Sequence, residues 1–384
     1  MSKNADVKQI KKLSVVVPAY NEEANLPRII PQVFESLENL KNKFGLDYEV
    51  VVINDGSKDR TEQVVLRLQK KYKKIKYVFQ ENQGKTGAVK HGVQLASGDV
   101  ILIQDADLEY DPMDYEQLLS PFFDTRTNTS ANTNTKTKIV YGNRFGKKEN
   151  KWLVHSFVAN KVLTWLTNLL SRLKIKDMET CYKVFKADIA KDVYNKVEAP
   201  RFGLEPEVTM RLGLQGYKIQ NIPISYNARS EEQGKKININ DFFEAIWTLI
   251  SLKVFKRYVK MPIPVDFVTY TVIGGVAVLS DIVVFWLLFT WLANPYVNLV
   301  SYTVGTIVSF SLNAKFNFNV NDKLASRYVR FWLVSIFGAF WSSWLIDLLI
   351  KRFAFKALVA KVLSLPLVLV YQYILSKKFV YSKK

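Results

Sequence analysis

Four long apolar runs close this sequence, and they limit what the chain can become. They span residues 266–292, 296–314, 328–350 and 357–376, each near the ~20 residues that a helix needs to cross a bilayer. Segments of this kind must satisfy every backbone group internally, which predicts four transmembrane helices. Lys253, Lys256, Arg257 and Lys260 precede the first run, and Lys315, Lys323, Arg327 and Arg330 fall after the second and around the start of the third. Lys377, Lys378, Lys383 and Lys384 follow the fourth. The opposite ends carry only Lys351, Arg352, Lys356 and Lys361. This asymmetry predicts a multi-pass protein of the cell (inner) membrane with both termini in the cytosol. The net charge of +19, from 54 Lys+Arg against 35 Asp+Glu, is then largely topology and lipid contact. A nucleic-acid binder would carry a basic stripe in residues 1–230, where charges of both signs interleave instead; no nucleic-acid partner is expected.

Ahead of these runs the pattern changes to alternating strand and helix signals. Strands are expected at 13–19, 48–53, 75–79, 100–104 and 139–142. Helices are expected at 25–43, with Pro31 a candidate kink, and at 59–72, 85–96 and 113–123. Buried-strand runs separated by helices predict an α/β domain with a mostly parallel sheet. The charged first twelve residues lead into a strand and not a signal-peptide core, so this domain is expected in the cytosol. The single Cys181 excludes a disulfide framework, and His91 and His155 are too few for a multi-histidine metal site. No internal repeat is evident. The low-complexity stretch 125–138 reads as a solvent-exposed insertion without function.

Residues 152–173 and 242–260 are amphipathic and too short in apolar length to span; they predict helices lying in the membrane interface. The expected organisation is an α/β domain over 1–230, including an interfacial helix near 150–173, an interfacial linker helix over 231–262, and a four-helix membrane domain over 263–384. Within the membrane runs, Asp281 is a candidate functional acid, and Asp347 is placed to pair with Lys351.

The acids that carry chemistry fall where strands end. Asp55 follows the second strand in Asn54-Asp55-Gly56-Ser57, and Asp105-Ala106-Asp107 follows the fourth. Ligands of open α/β sheets bind at the carboxyl ends of strands. Carboxylates crowded there call for a cation, and Mg²⁺ or Mn²⁺ with substrate phosphates suits hard oxygen ligands. Gly84-Lys85-Thr86 resembles the end of a P-loop, but Phe79 occupies the place of the required first glycine. No GxGxxG opens the first helix, which excludes a dinucleotide enzyme of that type.

Together, Val17-Pro18-Ala19-Tyr20-Asn21-Glu22, Asn54-Asp55-Gly56-Ser57, Gly98-Asp99, Asp105-Ala106-Asp107 and Gly142-Asn143-Arg144-Phe145 resemble the family 2 glycosyltransferases of the GT-A fold. The segments from Asp177 to Phe185, Arg201 to Glu207 and Arg229 to Lys236 are similar to the polyprenyl- or dolichyl-phosphate sugar synthases of that family, and the last four helices resemble the GtrA-like membrane domain. The resemblance implies a GT-A, Rossmann-like catalytic domain and inverting transfer of a hexose from GDP-mannose or UDP-glucose to a polyprenyl phosphate such as dolichyl or undecaprenyl phosphate. Pro18, Tyr20, Glu22, Ile53 and Asp55 would hold the base and ribose. Asp105, Ala106, Asp107 and Glu109 would hold the diphosphate, with Asp105, Asp107 and Glu109 on Mg²⁺ or Mn²⁺; Glu109 stands where the family often has Gln. Arg144, Arg229 and Lys235 would meet phosphates, and His155 and Asn160 could reach the acceptor phosphate. Asp105, Asp107, Arg144 and Arg229 form the expected catalytic set, and a homo-oligomer is left open. The rival reading is a membrane scaffold or lipid translocator whose α/β domain binds nucleotide without catalysis. The retained acid set argues against it. A polyprenyl phosphate is largely ionised near neutral pH, its second pKa being ~6, so the implied reaction needs no carboxylate base; Glu205 stands nearest in sequence to where one is expected.

Overall fold

The computed structural model describes residues 10–123, 137–150, 152, 154–228, 239–288, 291, 294–353 and 355–382. Apart from residues 137 and 138, the insertion at 125–138 lies outside them, as do Arg229 and Lys235. The chain divides into two compact units: Met1–Lys236 with Glu244–Lys260, and Ile237–Phe243 with Met261–Lys384. The segment read from sequence as a separate linker helix thus contributes to both.

The first unit is built on seven strands: β1 (Lys12–Ala19), β2 (Asp47–Asp55), β3 (Ile75–Gln80), β4 (Val100–Ile103), β5 (Ile139–Asn143), β6 (Lys183–Lys186) and β7 (Gln220–Pro223). They run in the order β3-β2-β1-β4-β6-β5-β7. The first four are parallel, β6 is antiparallel to both β4 and β5, and β7 is parallel to β5. Val15, Val16 and Val17 of β1 and Val50 to Ile53 of β2 have no exposed surface. Such unbroken apolar runs are what strands covered on both faces require. Helices α1 (Leu26–Phe44), α2 (Thr61–Lys71), α3 (Gly84–Leu95) and α4 (Tyr115–Phe123) join the early strands. Pro31 sits inside α1 without ending it. Register places Pro18 beside Ile53, Ala19 beside Asn54, and Val16 beside Ile103. The carboxyl ends of β1, β2 and β4 therefore lie side by side, where the strand order reverses.

Helices α5 (Val154–Ser171), α6 (Ala187–Asn195), α7 (Leu204–Leu214) and α8 (Ile239–Phe255) follow. Leu249 and Leu252 of α8 pack with Met210 of α7 and with Leu166 and Leu170 of α5. The opposite face of α5 exposes Val154, Val158, Val162, Trp165 and Leu169, a stripe at i, i+4 and i+3 spacing. Exposed Ile250, Val254 and Phe255 of α8 stand beside exposed Lys253, with exposed Lys256 and Arg257 just after the helix. An outward apolar stripe beside basic residues is the form of a helix that lies in a membrane surface.

The second unit contains α9 (Val265–Leu288), α10 (Asn294–Leu312), α11 (Leu324–Phe353) and α12 (Ala357–Leu375). Among the described residues three helices are long and apolar enough to cross a membrane: Val265–Leu288, Leu324–Arg352 and Leu363–Val380. The expected fourth span, α10, is not among these three. Helix α10 forms, but Asn298, Ser301, Thr303, Thr306, Ser309 and Ser311 lower its apolarity. Thr303 and Thr306 turn their hydroxyls back onto the carbonyls of Leu299 and Thr303, which removes two donors from the helix surface. Gly305 lets α10 approach α9 closely: a Cβ there would meet Ala277 O and Asp281 Cβ at 3.2 Å. Asp347 pairs with Lys351 at 2.8 Å, as its spacing predicts.

A repeat that the sequence hid appears at the helix ends. Both α10 and α12 close in a π-turn, Asn313–Asn317 and Ser376–Val380. In each, the N–H five residues on returns to the first carbonyl, Phe318 to Asn313 and Tyr381 to Ser376, both at 2.9 Å. The two following rings stack at 4.4 Å. Asn240 donates to the Asn317 carbonyl, and Arg327 to the carbonyl at the matching place, Val380. Asp266, at the start of α9, pairs with Lys377 at 2.5 Å and accepts through its carbonyl from Asn317. The start of α9, the end of α10, the start of α11 and the end of α12 thus meet at one end of the unit, which also carries Lys315, Lys323, Arg330 and Lys378. Both chain ends of the unit lie at this end, in keeping with the expectation of four passes. A reporter inserted between Phe353 and Ala357 is therefore expected to read as extracytosolic, and reporters at Asp322 and after the last residue as cytosolic; a cytosolic reading at 353–357 contradicts this.

Candidate active site

The site begins with the turn after β2. Gly56 has φ +69°, and a Cβ there would lie 2.8 Å from Asn82 N, so only glycine lets the two loops close. Asp55 is buried. Its Oδ1 accepts from Gln80 Nε2 at 2.7 Å and from Gln83 N at 2.8 Å, which ties the start of α3 to the end of β2. That start carries Lys85.

Lys85 Nζ lies 3.1 Å from Asp105 Oδ1 and 3.1 Å from Glu205 Oε1. Burial alone would raise the Asp105 carboxyl; the Lys85 ammonium outweighs it and holds the carboxyl below its ordinary value. Burial likewise opposes the charge on Lys85, but the Asp105 and Glu205 carboxylates hold it well above the usual lysine value. Ala106 is buried, and Asp107 Oδ1 accepts the Glu109 N–H at 3.2 Å. Gln104 fixes this loop from below. Its Nε2 donates to the Asp105 carbonyl at 2.8 Å, while Oε1 accepts from Tyr115 and Tyr182 at 2.6 and 2.8 Å. Glu109 accepts from the Tyr226 hydroxyl at 3.0 Å.

Arg144, at the end of β5, is 5% exposed. Its Nε and Nη2 donate to Asp177 at 2.7 and 2.8 Å, and Nη2 to Asn160 Oδ1 at 3.3 Å. Its guanidinium carbon lies 5.1 Å from the Trp152 ring centre and 5.0 Å from that of Tyr226. Burial works against its charge, but Asp177 raises it further above the usual arginine value. The segment 177–183 crosses beneath the Asp105 loop. Cys181 Sγ reaches the Ile103 carbonyl at 3.6 Å, and Cys181 N donates to Tyr110 at 2.9 Å. Lys183 donates to the Thr180 carbonyl. Burial lowers the Lys183 ammonium, against the pull of Glu205 and Glu179. Burial and the Glu205 carboxylate push the Glu179 carboxyl up to about 8.

The expected residues are thus distributed unequally. Pro18, Tyr20, Asp55, Asp105 and Asp107 share the carboxyl edge of the sheet, and Tyr20 is open to solvent. Ile53 packs with Val51 and Ala88 in the core, so only its main chain is available to a ligand. Glu22 is held by Thr61 through its N–H and by Asn25 through its carboxylate. Asn160 does adjoin Arg144, whereas the side chain of His155 lies outside the described residues. Asp105, Asp107 and Glu109 do not converge: among the described residues no three His, Cys, Asp or Glu side chains form a ready metal cage. Asp105 faces Lys85 and Glu109 faces Tyr226. The donor set that remains, Asp105 and Asp107, still fits Mg²⁺ or Mn²⁺, which take one or two carboxylates and complete their shell with waters and substrate phosphates. Sequence reasoning missed Lys85, set aside with the failed P-loop, and the partner role of Asp177. A basic residue at a helix start facing a strand-end acid was the available signal.

The family model described as glycosyl transferase family 2 matches residues 14–193, and that of the GtrA/DPMS transmembrane domain matches 269–381. A dolichyl-phosphate beta-glucosyltransferase of Trichomonas vaginalis is 31% identical over 64% of this chain and 74% of its own length. The chain belongs to the family 2 glycosyltransferases. It is of the polyprenyl-phosphate sugar synthase type, joined to a GtrA-like membrane domain. The dolichyl-phosphate beta-glucosyltransferase of Saccharomyces cerevisiae is 27% identical over 59% of this chain and 69% of its own. Among solved structures, a mannosyltransferase from Pyrobaculum calidifontis in complex with GDP-mannose and Mn²⁺ aligns over 97% of this chain and 88% of that one, at 15% identity and a TM-score of 0.43. A likeness that distant carries no argument about this glycosyltransferase.

The Arg144–Asp177 pair gives a test. Removing one partner of a buried pair leaves an uncompensated charge, at about 3–5 kcal/mol. Arg144→Ala is expected to lower the thermal midpoint of the full chain in detergent by about 6–20 °C. An unchanged midpoint would show that Arg144 is held loosely.

Proposed function

We propose that this glycosyltransferase moves glucose from a nucleotide sugar, UDP-glucose before GDP-mannose, to a polyprenyl phosphate. The product is a β-linked lipid-phosphate sugar made on the cytosolic face of the cell membrane. The observation that carries this reading is the sharing of Lys85 by Asp105 and Glu205 at the carboxyl edge of the sheet, in a chain whose relatives are named dolichyl-phosphate beta-glucosyltransferases.

In this reading Tyr20, Glu22, Asp55 and the main chain at Pro18 and Ile53 hold base and ribose. Asp105 and Asp107 would hold Mg²⁺ or Mn²⁺, which would supply charge neutralisation for the diphosphate. Arg229 and Lys235 meet phosphate groups of donor or acceptor. The acceptor oxygen arrives already ionised, so the site's task is positioning and cancellation of repulsion between anions. Glu205 agrees with this: its carboxylate is engaged by Lys85 and is not needed as a base. The outward apolar stripe of α5 and the basic end of the helical unit suit an acceptor whose tail stays in the membrane.

The test is transfer of labelled sugar to added polyprenyl phosphate by membranes holding the full chain, with UDP-glucose, GDP-mannose and related donors in parallel. Metal-dependent transfer from UDP-glucose is expected, falling at least about 10²-fold in Asp107→Asn, as when a charge-stabilising group is removed. Nucleotide binding with no transfer from any donor would favour the scaffold or translocator reading.

A further inference from the structure

Buried polar atoms in folded proteins are almost always hydrogen-bonded, so each exception asks for an explanation. Among the described residues two buried side-chain oxygens have no partner: Glu179 Oε1 and Thr180 Oγ1. They are adjacent, and both belong to the segment that crosses under the Asp105 loop. Every other group nearby is engaged. Asp105 and Glu205 share Lys85, Asp177 holds Arg144, and Lys183 donates to the Thr180 carbonyl. Their segment begins with Asp177, which holds Arg144, and meets the Asp105 loop through Cys181, which reaches the Ile103 carbonyl and the Tyr110 hydroxyl.

A carboxyl and a hydroxyl on successive residues, each with unused hydrogen-bonding capacity, suit a ligand rich in hydroxyls. We propose that Glu179 and Thr180 bind hydroxyl groups of the transferred hexose and thereby contribute to which sugar is accepted. This rests on the nucleotide-sugar reading above, and it assigns the sugar contacts of that same site. Both are positioning residues for the donor. Leaving a buried polar group unpaired when the wrong sugar is bound penalises that sugar more than a lost methylene would. Because burial keeps the Glu179 carboxyl protonated near neutral pH, an amide is its closest mimic.

The experiment compares, in the full chain with Mn²⁺, the affinity for a nucleoside diphosphate with that for its hexose conjugate. UDP with UDP-glucose and GDP with GDP-mannose are both measured, and the tighter pair is used. Thr180→Val and Glu179→Leu are each expected to weaken the hexose conjugate by about tenfold or more while leaving the nucleoside diphosphate within about twofold; tenfold lies in the range for a lost buried hydrogen bond. Glu179→Gln is expected to stay within about threefold of the parent for both ligands. Thr180→Val keeps the shape and removes an unpaired hydroxyl, so its thermal midpoint should hold or rise, which keeps the test open if Glu179→Leu fails to fold. Equal effects on the diphosphate and its conjugate, or none on either, overturn the assignment and mean that the oxygens serve packing or an internal water. In that case the nucleotide-sugar reading stands. If the parent chain binds neither nucleotide, both readings fall.

Discussion

One lysine ammonium shared by two carboxylates holds this catalytic unit in the form described. Lys85 comes from the start of α3, Asp105 from the loop after β4, and Glu205 from the first turn of α7. Carboxylates gathered at the ends of parallel strands repel one another in a partly dry setting, and each resists ionisation there. A single cation between two of them offsets their repulsion, holds the Asp105 carboxyl below its ordinary value and ties three elements to one point. At the opposite edge of the same strands Glu49 shows the contrast. Burial alone would raise its carboxyl; bonds from Lys76, Ser14, Ser97 and Lys12 bring it down to about 2. Both Glu49 oxygens are taken by these partners. At the carboxyl edge the anions exceed the cations that engage them, and Glu179 and Thr180 keep unused oxygens.

Much of this was legible in the sequence because it depends on local pattern. The Val-rich runs of β1 and β2 can only be strands covered on both faces, and acids placed just after such runs must emerge at the carboxyl edge. Strands β6 and β7 escaped because each has only four residues and its place in the sheet is decided by pairing with distant partners. The role of Arg144 was half legible. Its position after a strand is a sequence feature; its capture by Asp177, 33 residues on, and its seat between Trp152 and Tyr226 are tertiary. Ile53 shows the converse, a motif residue whose side chain the core has taken, leaving its main chain for a ligand.

The membrane unit divides the same way. Apolar length and flanking charge announce its helices, but α10 uses hydroxyls that bond to its own backbone and a glycine that admits α9, features that hydropathy registers only as polarity. The matched π-turns share almost no residue identity beyond Lys315-Phe316 and Lys378-Phe379. What they share is backbone geometry capped by a side chain from elsewhere, Asn240 in one and Arg327 in the other. Repeats of that kind are invisible to a scan for similar letters.

The central claim is that the strand-end acids are engaged internally until a diphosphate arrives, so that metal and nucleotide complete one another's site. Coupling between two ligands is reciprocal and commonly worth about 5–150-fold. The most direct measurement is calorimetric titration of Mn²⁺ into the full chain, alone and with saturating UDP or GDP, corrected for metal bound by free nucleotide. The account predicts weak Mn²⁺ binding to the chain alone and an affinity at least about fivefold higher with nucleotide. Tight Mn²⁺ binding that is the same with and without nucleotide would mean that a complete metal cage is already built, and would contradict it.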